Sequence, residues 1–374
     1  MRLLIFVNVD WFFLSHRLPV GIGALNAGHE VHIATALTKE KIDLEKYGFI
    51  VHPINLDRSS ASIFGMVVLF FKFLRLLWIL KPDILHLVTI KPVLIGGLAA
   101  RFAPVGGVVF AISGLGHVFL ADGLWGRLRR NLVGAWYKFV LGKEKMCVIF
   151  QNPDDKKILS KITHLKDEKT LMIPGSGVNL SEYVHEALPP GEITVLMAAR
   201  LLMTKGVREF VDAAKLLRQS GVKARFWLVG DPDPENPDSV TPQELDNWFM
   251  QKQVEFFGYR SDIPELMSQA HIVVLPSYRE GLPKVLIEAA ACGRAVVTTD
   301  VPGCRDAIQD GITGLLVPPK DAVALAQAIK KLIEDPETCR TMGNAGRRRA
   351  EEIFNVDSVV NAHLKVYQSL ASRV

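Results

Sequence analysis

The sequence lacks the features that mark several classes of protein. Its 374 residues include only four cysteines, which lie far apart without CxxC or Cys/His spacing, so neither a zinc site nor a disulfide framework is indicated. A composition of 49% apolar and 22% charged residues excludes disorder and collagen and fits two globular domains. The start of the chain has no small-residue cleavage site, so we interpret it as a buried strand rather than a signal peptide.

The glycine-rich loops of common nucleotide-binding proteins are also missing. No GxGxxG follows a strand-like segment and no GxxxxGK[ST] occurs, so the dinucleotide and P-loop interpretations lose their main support. The net charge of +5 is modest for a nucleic-acid binder, and we expect no nucleic-acid partner. The basic excess is local, because residues 58–145 hold twelve Lys or Arg against three acids.

Strand-length apolar runs alternate with helix-length segments in both halves of the chain. Most runs are continuous, as in parallel strands that are covered on both faces. The runs are 2–7, 31–35, 83–88, 108–112, 146–151, 193–199, 224–229, 271–275 and 294–299. This alternation predicts the α/β class with two doubly wound, Rossmann-like domains, joined near the turn formers of 174–190. Ligands bind beyond the carboxyl ends of such strands, so we expect the function to lie in a cleft across which the two domains face each other.

Two loops of the C-terminal half carry side chains suited to a nucleotide sugar. Arg200 and Lys205 follow the 193–199 run, where they can bind a diphosphate or simply be solvated. Glu280 precedes a predicted helix at 284–291, whose N-terminus suits a diphosphate, and Glu288 lies inside that helix. Both carboxylates can accept sugar hydroxyls. In the structural alternative, Glu280 caps the helix and Glu288 is salt-bridged.

Taken in order, these residues resemble the donor site of the retaining glycosyltransferase family GT4, which has the two-domain GT-B fold. Glu280 and Glu288 match its EX7E motif. The resemblance covers nearly the whole chain and includes 11–19, 28–31, 175–179, 257–262 and 310–314. It points to the bacterial branch that extends undecaprenyl-diphosphate-linked sugars in O-antigen, capsule and N-glycan assembly, N-acetylgalactosaminyltransferases included.

The resemblance implies a role for each matched residue. Arg200 and Lys205 would hold the donor diphosphate, Glu280 the donor sugar and Glu288 the ribose, while backbone near 258–260 would contact uracil. The further donor-binding candidates are Gly258, Tyr259, Arg260, Gly281, Leu282, Lys284 and Val285. The resemblance also implies residues 1–175 as the acceptor domain, 176–354 as the donor domain and 355–374 as a helix that returns to the first domain. UDP-sugar is then a co-substrate, and no cofactor is expected.

The acceptor side departs from the family pattern at one motif. Ser113 stands where many relatives have a histidine, and His117 stands where they often have an aromatic residue. His117 is therefore either a catalytic or cleft-lining group or a hydrogen-bonded structural histidine. Asp10, His16 and Arg17, in the predicted loop after the first strand, are the other acceptor-side candidates.

A metal site is not expected. Asp231-Pro232-Asp233 matches the DxD sequence that binds a metal in the other major glycosyltransferase fold. The surrounding prolines account for this loop by turn formation alone. The cations Arg200 and Lys205 also reduce the need for a metal ion to stabilise the charge of the diphosphate.

Two stretches of the N-terminal half predict a membrane-facing surface. Residues 63–80 approach the length of a membrane span, but Lys72 and Arg75 interrupt them, which favours a helix that lies in the interface. Residues 125–139 combine aromatic residues with Arg127, Arg129 and Arg130 and resemble a basic interfacial helix. The alternative is an ordinary core helix with a solvated basic face.

These observations and the resemblance together predict a metal-independent glycosyltransferase, and the resemblance implies that it is retaining and that its donor is a UDP-sugar. It would move an N-acetylhexosamine, such as GalNAc or GlcNAc, from UDP to an undecaprenyl-diphosphate-linked saccharide. Its partners would be the UDP-sugar, the polyprenyl-diphosphate-linked glycan and an anionic membrane surface, and it would lie peripherally on the cytoplasmic face of the inner membrane. The alternatives are a soluble UDP-sugar epimerase of similar architecture and a non-catalytic nucleotide-sugar-binding protein.

Overall fold

The computed structural model describes residues 1–38, 43–54, 63–115, 123–234 and 236–372. The chain divides into two compact units. Met1–Ser176 together with Asp357–Val374 forms the N-terminal unit, and Gly177–Val356 forms the C-terminal unit. His117 lies outside the described residues, so the structure does not address its predicted role.

The N-terminal unit is built on a parallel sheet. Within the described residues, seven strands follow the order β3-β2-β1-β4-β5-β6-β7. The strands are β1 (Arg2–Val9), β2 (Glu30–Ala36), β3 (Ile50–Pro53), β4 (Ile84–Val88), β5 (Gly107–Ile112), β6 (Met146–Phe150) and β7 (Thr170–Met172). The α-helices are α1 (Asp10–His16), α2 (Leu18–Asn26), α3 (Ile63–Leu80), α4 (Gly97–Ala100), α5 (Gly123–Val140) and α6 (Pro153–Thr163).

The C-terminal unit repeats this architecture. Six strands of its described part follow the parallel order β10-β9-β8-β11-β12-β13. They are β8 (Thr194–Ala198), β9 (Arg225–Val229), β10 (Glu255–Gly258), β11 (Ile272–Leu275), β12 (Ala295–Thr299) and β13 (Gly314–Val317). The α-helices are α7 (Val207–Gln219), α8 (Pro242–Met250), α9 (Ile263–Ser268), α10 (Lys284–Ala291), α11 (Cys304–Ala307), α12 (Ala322–Glu334) and α13 (Pro336–Arg349).

Burial on both faces explains why the central strands read as continuous apolar runs. In β4, Leu85 and Leu87 belong to one core of the N-terminal unit, and Ile84 and Val88 belong to the core on the other face. The last helix, α14 (Val356–Ala371), buries Tyr367 in this second core, so it packs on the N-terminal unit. Two doubly wound parallel sheets confirm the predicted α/β class.

The structure corrects the sequence interpretation at two places. The edge strands β3, β7, β10 and β13 were not predicted, because each has only three or four residues and β3, β7 and β10 are only partly buried. Asp10 and His16 lie at the two ends of helix α1 rather than in a loop.

Candidate functional site

The predicted donor residues lie at one edge of the sheet in the C-terminal unit. Arg200 follows β8, and Glu280 follows the neighbouring strand β11, where the strand order reverses. Such a switch point is where open α/β sheets bind ligands. The Lys205 ammonium pairs with Oε1 of Glu280, although the two residues are 75 positions apart. Their side chains are only 22% and 13% exposed, so water screens the pair less than it would screen a surface pair.

Backbone contacts hold the two donor loops together. The backbone N–H of Tyr278 donates to the carbonyl of Thr204 at 2.9 Å. Gly206 has a φ of +73°, and a Cβ at this position would lie 2.2 Å from the carbonyl oxygen of Pro276. Only glycine combines this backbone conformation with so close an approach. Lys205, which directly precedes Gly206, is therefore placed by the backbone as well as by its ion pair.

Arg200 contacts the loop that carries the discounted DxD motif. Its Nη1 donates to Oδ2 of Asp233 at 2.8 Å, and the Asp233 backbone N–H donates to the Ser239 hydroxyl. Asp233, the second acid of the DxD motif, thus forms an ion pair with Arg200. Across the described ranges, no group of three or more His, Cys, Asp or Glu side chains could hold a metal ion.

The two acids of the EX7E motif have different surroundings. The alternative in which Glu280 caps the helix is wrong, because α10 has no side-chain cap and the Glu280 carboxylate faces Lys205. The alternative in which Glu288 is salt-bridged is correct in part, because Glu288 forms an ion pair with Lys284 at 2.9 Å. Glu288 is 6% exposed and also accepts a 2.6 Å hydrogen bond from the hydroxyl of Tyr183.

Tyr183 is a site residue that sequence reasoning missed. It lies in the turn-rich segment assigned to the domain join, 105 positions from Glu288, and nothing in that segment signals the contact. Burial raises the pKa of the Tyr183 phenol above its usual range, and the neighbouring Glu288 raises it further. The phenol therefore stays protonated and acts as a hydrogen-bond donor at neutral pH.

The other donor-binding candidates surround α10 and the end of β10. Leu282 is buried, and the side chain of Lys284 is partly exposed. The backbone of Gly281 packs closely against Gly303, because a Cβ at Gly303 would lie 2.7 Å from the Gly281 carbonyl oxygen. Val285 packs against the core of the unit. At the edge strand β10, Gly258 has a φ of +65° and its carbonyl accepts from Gly230.

The residues that follow Gly258 differ in exposure. Tyr259 is 75% exposed, whereas the guanidinium of Arg260 is held by Asp262 at 2.7 Å. The Asp262 carboxylate thus restrains the side chain of Arg260. Tyr259 and Arg260 directly follow the edge strand β10, which lies two strands from β8.

The acceptor-side candidates separate into two groups within the N-terminal unit. The buried carboxylate of Asp10 accepts hydrogen bonds from the backbone N–H and the hydroxyl of Thr38. Arg17 brings the other two together, because its Nη1 donates to the carbonyl of His16 at 2.9 Å and its Nη2 reaches the Ser113 hydroxyl at 3.5 Å.

Arg17 is a buried cation in neutral surroundings. Burial lowers its pKa to about 10, so it stays charged, while its Nε lacks a hydrogen-bond partner in the described part of the chain. Burial, followed by the charge of Arg17, lowers the pKa of His363 to about 3. His86 is also kept neutral, chiefly by burial, and bonds to the Tyr367 hydroxyl at 2.7 Å. A fixed positive charge thus lies near Ser113, at the carboxyl end of β5.

Helix α3 covers the sheet with one side and exposes apolar residues on the other. Phe73 stacks on Phe6 at 4.2 Å, and Leu77 is fully buried. We call the exposed side, with its neighbours, the apolar–basic face. Its described members are Phe64, Met66, Val67, Phe71, Lys72, Arg75, Trp78, Ile79, Phe102, Leu132, Trp136 and Phe139.

Contacts within the N-terminal unit connect this face. The indole of Trp78 donates to the carbonyl of Phe102 at 3.0 Å, and the guanidinium of Arg101 lies over the ring of Phe139 at 5.2 Å. Helix α5 occurs where the basic interfacial stretch was predicted, although the side chains of Arg127, Arg129 and Arg130 lie outside the described residues. No described helix is both long enough and apolar enough to cross a membrane.

Comparisons with known proteins match both halves of the chain. Residues 2–152 match the family "Glycosyl transferase 4-like", and residues 182–349 match "Glycosyl transferases group 1". The chain is 30% identical to the N,N'-diacetylbacillosaminyl-diphospho-undecaprenol alpha-1,3-N-acetylgalactosaminyltransferase of Campylobacter jejuni. That alignment covers 97% of this chain and 99% of the relative.

Solved structures show the same fold. Sucrose-phosphate synthase from Thermosynechococcus elongatus aligns with a TM-score of 0.82 at 22% identity, over the whole of both chains. Anabaena HepE in complex with UDP aligns with a TM-score of 0.78 at 21% identity, over 99% of this chain and 100% of that one. The fold is GT-B, and the chain belongs to the GT4-type glycosyltransferases.

Proposed function

We propose that this protein is a retaining, metal-independent transferase for an N-acetylhexosamine, such as GalNAc or GlcNAc. Its donor is a UDP-sugar, and its acceptor is an undecaprenyl-diphosphate-linked saccharide. The observation that carries the donor assignment is the convergence of Lys205 and Glu280 at the strand switch point, with Arg200 at the end of β8. The acceptor class rests on the Campylobacter relative, whose name specifies a diphospho-undecaprenol substrate.

The proposed chemistry follows from the charges of these side chains. Arg200 and Lys205 stabilise the negative charge that grows on the diphosphate as it leaves the sugar. Before the donor binds, Asp233 and Glu280 balance the two cations. Once the diphosphate takes over this role for Lys205, the Glu280 carboxylate can accept hydroxyl groups of the donor sugar.

The N-terminal unit supplies the proposed acceptor side. The lipid tail of a polyprenyl diphosphate stays in the bilayer, so the enzyme must reach the diphosphate at the membrane surface. The apolar–basic face can bind the cytoplasmic leaflet of the inner membrane peripherally, and the buried charge of Arg17 favours an anionic group near Ser113.

Release of UDP tests the function against its alternatives. We expect UDP from UDP-GalNAc or UDP-GlcNAc only when a diphospho-undecaprenol-linked saccharide is present, together with a product one sugar longer. An epimerase would interconvert the UDP-sugars without the lipid. A binding protein would bind the donor without turnover in either mixture, and either of these results would reject the proposal.

Metal independence is a second expected result. Arg200, Lys205 and the N-terminus of α10 already supply positive charge for the diphosphate, so transfer should continue at an unchanged rate in excess EDTA. A reaction with EDTA presaturated by Mg²⁺ controls for effects of the chelator itself. If EDTA abolishes activity and Mg²⁺ or Mn²⁺ restores it, the prediction is wrong, and Asp231 and Asp233 become candidate metal ligands.

A further inference from the structure

The hydroxyl of Tyr183 is one of two donors that fix the Glu288 carboxylate. Both donors contact Oε1, Tyr183 at 2.6 Å and Lys284 at 2.9 Å. Tyr183 is 6% exposed, whereas the Lys284 side chain is 30% exposed and comes from the same helix as Glu288. Within the described residues, only Tyr183 therefore ties this carboxylate to a different segment of the chain from a buried position.

The segment that carries Tyr183 is itself fastened to the helix that carries Glu288. Nη1 of Arg347 donates to the carbonyl of Tyr183 at 3.0 Å and to that of Ala291, the last residue of α10, at 2.7 Å. The backbone N–H of Tyr183 donates to Asn179. These contacts set the distance between the phenol and the carboxylate, because they hold both backbones.

We propose that Tyr183 is the positioning residue for Glu288. By occupying Oε1, it directs Oε2 to the ribose hydroxyls of the nucleotide. This inference rests on the proposed function and on the ribose contact that the family resemblance implies for Glu288. It adds that ribose recognition depends on a phenol from the segment that opens the C-terminal unit.

Binding of UDP and of 2′,3′-dideoxy-UDP to the full-length protein, measured by calorimetry, tests the proposal. The parent protein should prefer UDP, because only UDP offers hydroxyl donors to Oε2. In Tyr183→Phe the preference should fall about tenfold, as expected for the loss of one hydrogen bond to a charged group. The affinity for dideoxy-UDP should change little, and a general loss of packing would not produce this pattern.

Tyr278→Phe is the matched control. Tyr278 also donates a 2.6 Å hydrogen bond to a glutamate, Glu209, within the same unit. Its removal costs the same kind of bond, yet the preference for UDP over dideoxy-UDP should equal that of the parent. Thermal melting of both variants checks that the fold is intact.

The second variant is Lys284→Met, which removes the other donor to Oε1 but keeps Tyr183. Because Lys284 is also a donor-binding candidate, its loss can lower the affinity for both nucleotides, but the ratio of the two affinities should stay close to that of the parent. An unchanged preference in folded Tyr183→Phe, or its complete loss in Lys284→Met, would overturn the inference alone. If the parent protein binds UDP and dideoxy-UDP equally well, both the inference and the assignment of Glu288 to the ribose are wrong. If the parent protein does not bind UDP, the proposed function is rejected.

Discussion

Lys205→Ala should lower the rate of sugar transfer by about 10²–10³, the usual cost of removing one group that stabilises charge in a transition state. Lys205 lies at the strand switch point and is held by the close approach of Gly206 to Pro276. Its ammonium is therefore already oriented when the donor arrives. The loss should appear mainly in kcat, because the charge on the leaving diphosphate develops only as the glycosidic bond breaks.

The pairing of Lys205 with Glu280 requires one control. Removal of the lysine leaves the mostly buried Glu280 carboxylate without its cation, which also lowers stability. The double variant Lys205→Ala/Glu280→Gln removes this unpaired charge, so its melting temperature should recover while its activity does not. Lys223→Ala, an exposed lysine before β9, should leave the rate unchanged. Near-parental kcat in folded Lys205→Ala would reject the donor-site assignment.

The predictable part of the fold is the part that is buried on both faces. The central strands show continuous apolar runs because each contributes to two cores, as β4 does, so their existence followed from the sequence. The edge strands β3 and β10 are short and largely exposed or half-buried, and their hydrogen bonds to one neighbour leave no apolar pattern. Local patterning cannot reveal a strand that exists because of its neighbour.

A similar limit separates the predicted site residues from those that were missed. Glu280 lies in the loop before α10 and Glu288 lies inside α10, so the two acids are close in the sequence. Their spacing alone therefore identified them as a pair. The residues that bind these side chains could not be predicted in the same way. Tyr183, which donates to Glu288, comes from a distant segment of the chain. Asp233, which accepts from Arg200, lies in a loop whose sequence is explained by turn formation. Arg17 was predicted by position, but its burial with His86 was not, because α1, β4 and α14 meet only in the folded unit.

Replacement of Lys72 and Arg75 by glutamine should weaken binding to anionic vesicles by about 30-fold at low salt. Both side chains are exposed on α3, and each basic residue near an anionic leaflet contributes about 1 kcal/mol. The effect should shrink at high salt because ions screen exposed charges. Lys215→Gln/Lys223→Gln removes the same charge from exposed sites of the C-terminal unit and should leave vesicle binding at the parental level.

The apolar half of the same face calls for a separate variant, since charge alone would attract the protein without anchoring it. Phe64→Ser/Phe71→Ser removes two exposed rings, 78% and 61% accessible, and should weaken binding to neutral and anionic vesicles alike. Both variants should slow transfer to the full-length lipid acceptor in vesicles, while transfer to a short-chain, water-soluble analogue keeps the parental rate. Parental vesicle binding by both variants would place membrane contact elsewhere, and slowed transfer to the soluble analogue would show damage to the acceptor site itself.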